Sequence, residues 1–209
     1  MRPERVVLVA GTHTEVGKTW VTAAVAAGLR HAGVAVAARK PVQSFEPGAG
    51  PTDAEVLAAA TGEDPATVCP PARSLPLPMA PPMAADALGM EPFTVAELAG
   101  DLTWPAGVQV GFVESIGGVR SPIASDGDTV ELAGVVEPDL VLLVADASLG
   151  AVNAVLSSAP WLSAWPTAVL LNRFDAADDL HQRNRSWLVE RHGLDVHTDP
   201  ASLEALCRP

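Results

Sequence analysis

A doubly wound α/β fold, a mostly parallel sheet with helices on both faces, is what three features of this 209-residue sequence predict. Short apolar runs recur without internal polar alternation, which suits strands buried on both faces of a parallel sheet. Helix-length segments separate those runs, the order that a parallel sheet with crossover helices requires. Polar and glycine-bearing stretches cluster just after the runs, at the carboxyl ends of the expected strands, where folds of this kind place their ligands.

The first run, RVVLVA at 5–10, leads through GTHTEVGKTW at 11–20 into small residues read as a helix over 18–32. A second strand is expected at 34–39 (VAVAAR) and a helix at 52–61, opened by a capping box between Thr52 and Glu55. Residues 62–82 carry seven prolines and read as an ordered surface excursion, because the alternation resumes beyond them. A helix at 94–102 precedes the run VQVGFV at 108–113, and one at 129–136 precedes DLVLLVA at 139–145. A helix at 150–164 precedes TAVLLN at 167–172, and one at 178–192 leads to a weaker strand, LDVH at 194–197. Met79 and Met83 read as packing residues, and Trp161 and Trp165, four apart, as a core or dimer contact.

Hydrophobic residues make up 48% of the chain and charged residues 18%, a globular composition, and the length fits one domain over 1–209. The net charge of −12 argues against general adhesion to nucleic acid or to an anionic membrane. Cys69 and Cys207 form neither a metal-ligand spacing nor a disulfide framework, which points to a bacterial-type cytoplasm. The first apolar run is too short for a signal-peptide core, and no stretch has the length of a membrane span, so a soluble cytoplasmic protein is expected.

The stretch GTHTEVGKTW carries the sharpest chemistry. A strand, a glycine-framed turn ending in Gly17-Lys18-Thr19 and a helix together form a phosphate cradle, in which backbone N–H groups of Thr14, Glu15, Val16, Gly17, Lys18 and Thr19 surround an oxyanion. Lys18 would reach the terminal phosphates and Thr19 would offer its hydroxyl to Mg²⁺. The reading is therefore a P-loop nucleotide-binding fold, although five residues part Gly11 from Gly17, one more than the common pattern. Glu114 directly follows the run VQVGFV, where a carboxylate can meet the metal. Asp53, in the first turn after Thr52, reads locally as a helix-dipole partner.

Taken together, GTHTEVGKT (11–19), RKPVQS (39–44), TDAEVL (52–57), MAPPMAA (79–85), FVESIGG (112–118), LGAVN (149–153) and LLN (170–172) resemble the dethiobiotin synthetase family. The likeness runs in order through most of the chain to about residue 175, and the longer phosphate loop with its glutamate is that family's own variant. It implies ATP- and Mg²⁺-dependent closure of a cyclic urea from 7,8-diaminononanoate and CO₂. By resemblance, Lys18 and Lys40 face the carbamate and γ-phosphate oxygens, while Thr19, Asp53 and Glu114 hold Mg²⁺. Thr14 and Ser44 line the substrate and phosphate region, Gly117 and Gly118 let backbone N–H groups approach the substrate, and Asn172 meets the adenine. The resemblance also implies a homodimer, with Gly150, Ala151, Val152 and Asn153 reaching into the neighbouring subunit's site to catch the substrate carboxylate.

The chain departs from the family pattern at Ser115 and Ile116, where small residues are usual, at the less polar MAPP segment, and in VHTDPASL after the last strand. Two alternatives stay open on the sequence: a related ATP-dependent ligase or amidase-type activator of another small substrate, and a nucleotide-dependent switch of the partitioning-ATPase kind. The switch class places a lysine early in its phosphate loop, where this chain has Thr12 and His13.

Overall fold

The structure, a computed structural model, describes residues Met1–Pro209. In chain order the elements are β1 (Arg5–Gly11), α1 (Lys18–His31), β2 (Val36–Arg39), β3 (Gln43–Ser44), α2 (Asp53–Thr61), α3 (Pro65–Val68), β4 (Ser74–Leu75), α4 (Pro81–Ala87) and α5 (Val95–Gly100). Then follow β5 (Val110–Glu114), α6 (Thr129–Val136), β6 (Leu140–Asp146), α7 (Ala151–Ser158), β7 (Thr167–Asn172), α8 (Asp179–His192), β8 (Val196–His197) and α9 (Glu204–Cys207). Six strands form a parallel sheet in the order β2-β5-β1-β6-β7-β8. The α/β prediction is borne out.

Alternation along β1 divides the core. Val7 and Val9 pack with Val21, Val25 and Leu29 of α1 and Leu57 of α2, whereas Val6, Leu8 and Ala10 pack with Leu132 of α6, Val155 of α7 and Leu188 of α8. A strand apolar at every position is thus explained by helices on both faces. Each fully buried Val or Leu contributes about 1.5–3 kcal/mol relative to exposure. No helix is long and apolar enough to cross a membrane.

The proline-rich excursion is more structured than its sequence indicates. Pro65 and Pro81 stand at the first turns of α3 and α4, where a missing N–H costs nothing, and Asp64 caps α3 through the Ala66 N–H. β3 and β4 pair in parallel as a separate two-stranded sheet, tied by Gln43 Nε2 donating to Ser74 Oγ at 2.7 Å. Three further sequence expectations need correction. The helix expected over 150–164 stops at Ser158, because Pro160 turns the chain into a 3₁₀ segment, Ala159–Leu162. Trp161 consequently leaves the helix and stands half exposed beneath the Arg120 guanidinium, 4.4 Å from its ring centre. Met79 and Met83 are not core residues, being 47% and 60% exposed.

Candidate active site

β1 ends in the middle of the sheet, with β5 on one side and β6 on the other, and the phosphate loop rises from it into α1. A cleft of about 700 Å³ opens there, lined by Thr14, Glu15, Gly17, Lys18, Thr19, Lys40, Ser44, Asp53, Ile116 and Gly117 among others. The loop has the backbone of an anion cradle. Gly17 is left-handed (φ 92°), and a Cβ there would lie 2.1 Å from Asn172 Nδ2, so both conformation and space require glycine. Gly118 is required by space as well, since its Cβ would come within 2.8 Å of the Thr12 carbonyl oxygen.

Beneath the cleft, four charged side chains meet. Lys40 Nζ lies 2.7 Å from Asp53 Oδ2 and 2.8 Å from Glu114 Oε1, and donates to the Ser115 carbonyl at 3.0 Å. Lys40 and Glu114 are buried completely or nearly so. Burial alone would lower the Lys40 pKa, but the Asp53 and Glu114 carboxylates outweigh it and raise it. Lys40 in turn holds the Asp53 carboxyl below its ordinary range. Lys18 is different: burial, then repulsion from Lys40, pushes it down to about 8, and its Nζ donates to the Gly117 carbonyl at 2.9 Å. A phosphate oxyanion beside Lys18 would restore the stabilisation that burial removes.

The oxygens suit a small hard cation. Thr19 Oγ1 is 2.8 Å from Asp53 Oδ1 and 2.7 Å from Glu114 Oε1. A hydroxyl has one proton, so it cannot satisfy both carboxylates at once. A divalent ion among the three oxygens would resolve that conflict, and Mg²⁺ characteristically takes few protein oxygens and completes its shell with phosphate and water. The remaining Glu114 oxygen, Oε2, accepts from Thr22 Oγ1 at 2.7 Å, which fixes the carboxylate plane.

The structure thus brings Thr14, Glu15, Gly17, Lys18, Thr19, Lys40, Ser44, Asp53, Glu114 and Gly117 together. Val16 is buried under the loop, and Asn172 donates its amide to the Val16 carbonyl at 2.8 Å. The Gly118 N–H is engaged by Ser121 Oγ at 2.9 Å. Gly150, Ala151, Val152 and Asn153 lie apart from the cleft, at the start of α7: Gly150 is left-handed (φ 101°), Ala151 is buried, and Asn153 is exposed. Of the departing residues, Ile116 lines the cleft, and Ser115 is buried with no partner for its hydroxyl.

Two participants carried no mark in the sequence. Gln43 Oε1 accepts from the Ala54 N–H at 3.0 Å while its amide holds Ser74, so it fixes the start of α2 and with it Asp53. Arg173, on the cleft wall, donates to the Glu15 carbonyl and to Asp146. The strand-end position after Asn172 was the one available signal for Arg173; nothing local distinguishes Gln43.

Comparison with known proteins gives this arrangement relatives. A family model described as an AAA domain matches residues 5–196. An ATP-dependent dethiobiotin synthetase BioD of Haloferax mediterranei is 34% identical over 200 residues, covering 92% of this chain and 82% of that protein. One of Anaeromyxobacter sp. is 36% identical over 180 residues, 84% of this chain and 79% of its own. One of Mycobacteroides abscessus is 33% identical over 198 residues, 91% and 84%. Among solved structures, the Signal Recognition Particle 54 kDa protein of Aeropyrum pernix, in complex with GDP, superposes with a TM-score of 0.52 at 19% identity, over 96% of this chain and 42% of that one, a likeness of fold. With its strand-end acid, phosphate loop and both lysines in one cleft, and with these sequence relatives along most of its length, the chain belongs to the ATP-dependent dethiobiotin synthetase family.

Proposed function

We propose that this protein makes dethiobiotin from 7,8-diaminononanoate, CO₂ and ATP, with Mg²⁺, as one catalytic unit over residues 1–209 that works as a homodimer in the cytoplasm. The observation that carries the reading is the buried cluster at the cleft floor, where Lys18 and Lys40 meet the Thr19, Asp53 and Glu114 oxygens beside the phosphate loop. Two lysines against two carboxylates leave the floor balanced before substrates arrive. Because the carboxylates already offset the lysines, the negative charge of a nucleotide phosphate and a carbamate calls for the further positive charge that Mg²⁺ would supply.

In this reading the phosphate loop binds the triphosphate through backbone N–H groups and Lys18. Thr19, Asp53 and Glu114 would hold Mg²⁺, which would supply charge neutralisation at the phosphates. One amine of the substrate adds to CO₂ and loses a proton, giving a carbamate. Lys40, whose three N–H groups meet Asp53, Glu114 and the Ser115 carbonyl, would exchange a carboxylate for the carbamate oxygen and orient it for attack on the γ-phosphorus, and ADP leaves. The second amine attacks the carbonyl of the carbamic-phosphoric anhydride; the C–O bond to phosphate breaks, phosphate departs, and the ring nitrogen gives up its proton. Positioning and electrostatics carry the rate, because the two anionic reactants repel each other in water. Thr14, Ser44, Gly117 and Gly118 border the reacting region, Asn172 lies toward the base, and Gly150 to Asn153 serve the partner's site.

The test is product analysis. Purified protein with the diamine, bicarbonate and MgATP should yield dethiobiotin, ADP and phosphate in equal amounts. Slow ATP hydrolysis without a urea product would defeat the reading.

A further inference from the structure

At the end of β7, two consecutive side chains hold two consecutive carbonyls of the phosphate loop. Asn172 Nδ2 donates to the Val16 carbonyl at 2.8 Å, and the Arg173 guanidinium donates to the Glu15 carbonyl at 2.9 Å. In a trans peptide the C=O and N–H lie in one plane and point in opposite directions. Drawing the Glu15 and Val16 carbonyls toward β7 therefore turns the N–H groups of Val16 and Gly17 the other way, toward the cleft. Neither N–H has a backbone acceptor in the protein.

Arg173 is itself anchored. Its other guanidinium nitrogen donates to Asp146, the last residue of β6, at 2.6 Å. Burial pushes the Asp146 carboxyl up, but hydrogen bonds from Ser148 and Arg173 outweigh it and hold the group at about 2, so it is ionised throughout the ordinary pH range. The backbone of Arg173 is left-handed (φ 58°), as is that of Glu15 (φ 63°), a conformation that ordinary side chains adopt at a cost. Strain at two non-glycine residues joined by one hydrogen bond is kept only where the surroundings impose it.

We propose that Arg173 is a positioning residue: braced on Asp146, it orients the Glu15–Val16 peptide so that the loop's N–H groups face the triphosphate. This deepens the nucleotide role assigned to the cleft and rests on it. Two of its five N–H donors hold protein oxygens and its charge is paired with Asp146, so the role assigned to Arg173 is exerted through the loop.

The test measures calorimetric binding of ATP and of inorganic tripolyphosphate, both with Mg²⁺, to the full chain and its variants. Arg173→Gly removes the clamp and relieves the left-handed strain, and the side chain it deletes is 59% exposed. It should weaken both ligands about tenfold and by the same factor, with the melting temperature within about 2 °C of the wild type. Asp146→Asn should weaken both ligands less, and the double variant should bind no worse than Arg173→Gly alone. Arg173→Lys, which lacks the fork, should not restore affinity. Unchanged tripolyphosphate binding in Arg173→Gly would overturn the proposal, and so would a loss confined to ATP, which would mean contact with base or ribose. Tighter tripolyphosphate binding in Asp146→Asn, or full rescue by lysine, would show a simple charge effect and overturn it too. A wild-type chain that binds neither ligand would remove the nucleotide reading and this inference together; wild-type binding with an unaffected Arg173→Gly would remove only the inference.

Discussion

Lys18, Lys40 and Glu114 at the cleft floor are buried, and their charged atoms find partners at 2.7–2.9 Å within one chain. At the start of α7, Leu149 is 86% exposed, Asn153 faces solvent, and Gly150 caps the helix with no side-chain hydrogen bond. The first region costs several kcal/mol per ion in desolvation, which the pairing must offset, and it is organised before any ligand arrives. The second turns an apolar side chain, Leu149, and a polar one, Asn153, to solvent. The charged cluster is thus complete within one chain, whereas the segment assigned by resemblance to the substrate carboxylate is not part of it.

The largest effect is expected at the floor. Glu114→Gln keeps the shape but removes a negative oxygen shared with Thr19 and Lys40. Turnover should fall about a thousandfold, with partial recovery at high Mg²⁺, read from initial rates across a metal titration. Full activity at limiting Mg²⁺ would take Glu114 out of the site and end the contrast. Lys40→Ala comes next. It should lower kcat about a hundredfold while sparing ATP affinity. It also leaves Asp53 and Glu114 facing each other unneutralised, so the ligand-free protein should lose about 3–5 kcal/mol, measured by urea unfolding. An unchanged kcat would contradict its role on the carbamate.

What could be read in advance follows the same divide. The apolar runs of β1, β5, β6 and β7 are buried on both faces, and Lys18 and Thr19 follow β1 directly, so strand, loop and helix were legible as one local pattern. Glu114 likewise ends β5, whereas Asp53 read locally as a helix-dipole partner and was joined to the site by resemblance. Gln43 and Arg173 were not legible, because their partners lie across the fold: Arg173 meets Glu15 through hydrogen bonding between residues 158 apart. The short sheet of β3 and β4 was missed for the same reason, since tertiary pairing and not propensity forms a two-residue strand. Lys40 was read as facing substrate; its ion pairs with both carboxylates depend on how β2 and β5 adjoin, which a linear pattern does not display.

A smaller effect is expected at α7. Asn153→Ala should raise KM for the diamine about tenfold and leave KM for ATP unchanged, because the side chain is exposed and distant from the phosphate loop. Mixing Lys18→Ala and Asn153→Ala chains should produce some sites with both functions intact, visible as activity above that of either variant alone. No gain on mixing, with subunit exchange shown by mass, would place Asn153 in its own chain's site.

The smallest effect on the chain itself is expected at Leu149. Its side chain contributes almost nothing to the fold of one subunit, so Leu149→Asp should change unfolding free energy by no more than about 0.5 kcal/mol. Association is another matter. A leucine buried against a partner contributes about 1.5–3 kcal/mol, and a carboxylate placed there would have to be desolvated without a counter-ion. Leu149→Asp should therefore raise the dimer dissociation constant at least about tenfold, measured by analytical ultracentrifugation over a concentration series. With dissociation, diamine turnover should fall at low protein concentration, while ATP binding by the self-contained floor persists. Equal association in both proteins would remove the start of α7 from any interface. Association lost with diamine turnover intact would instead show that one chain completes both ends of the site.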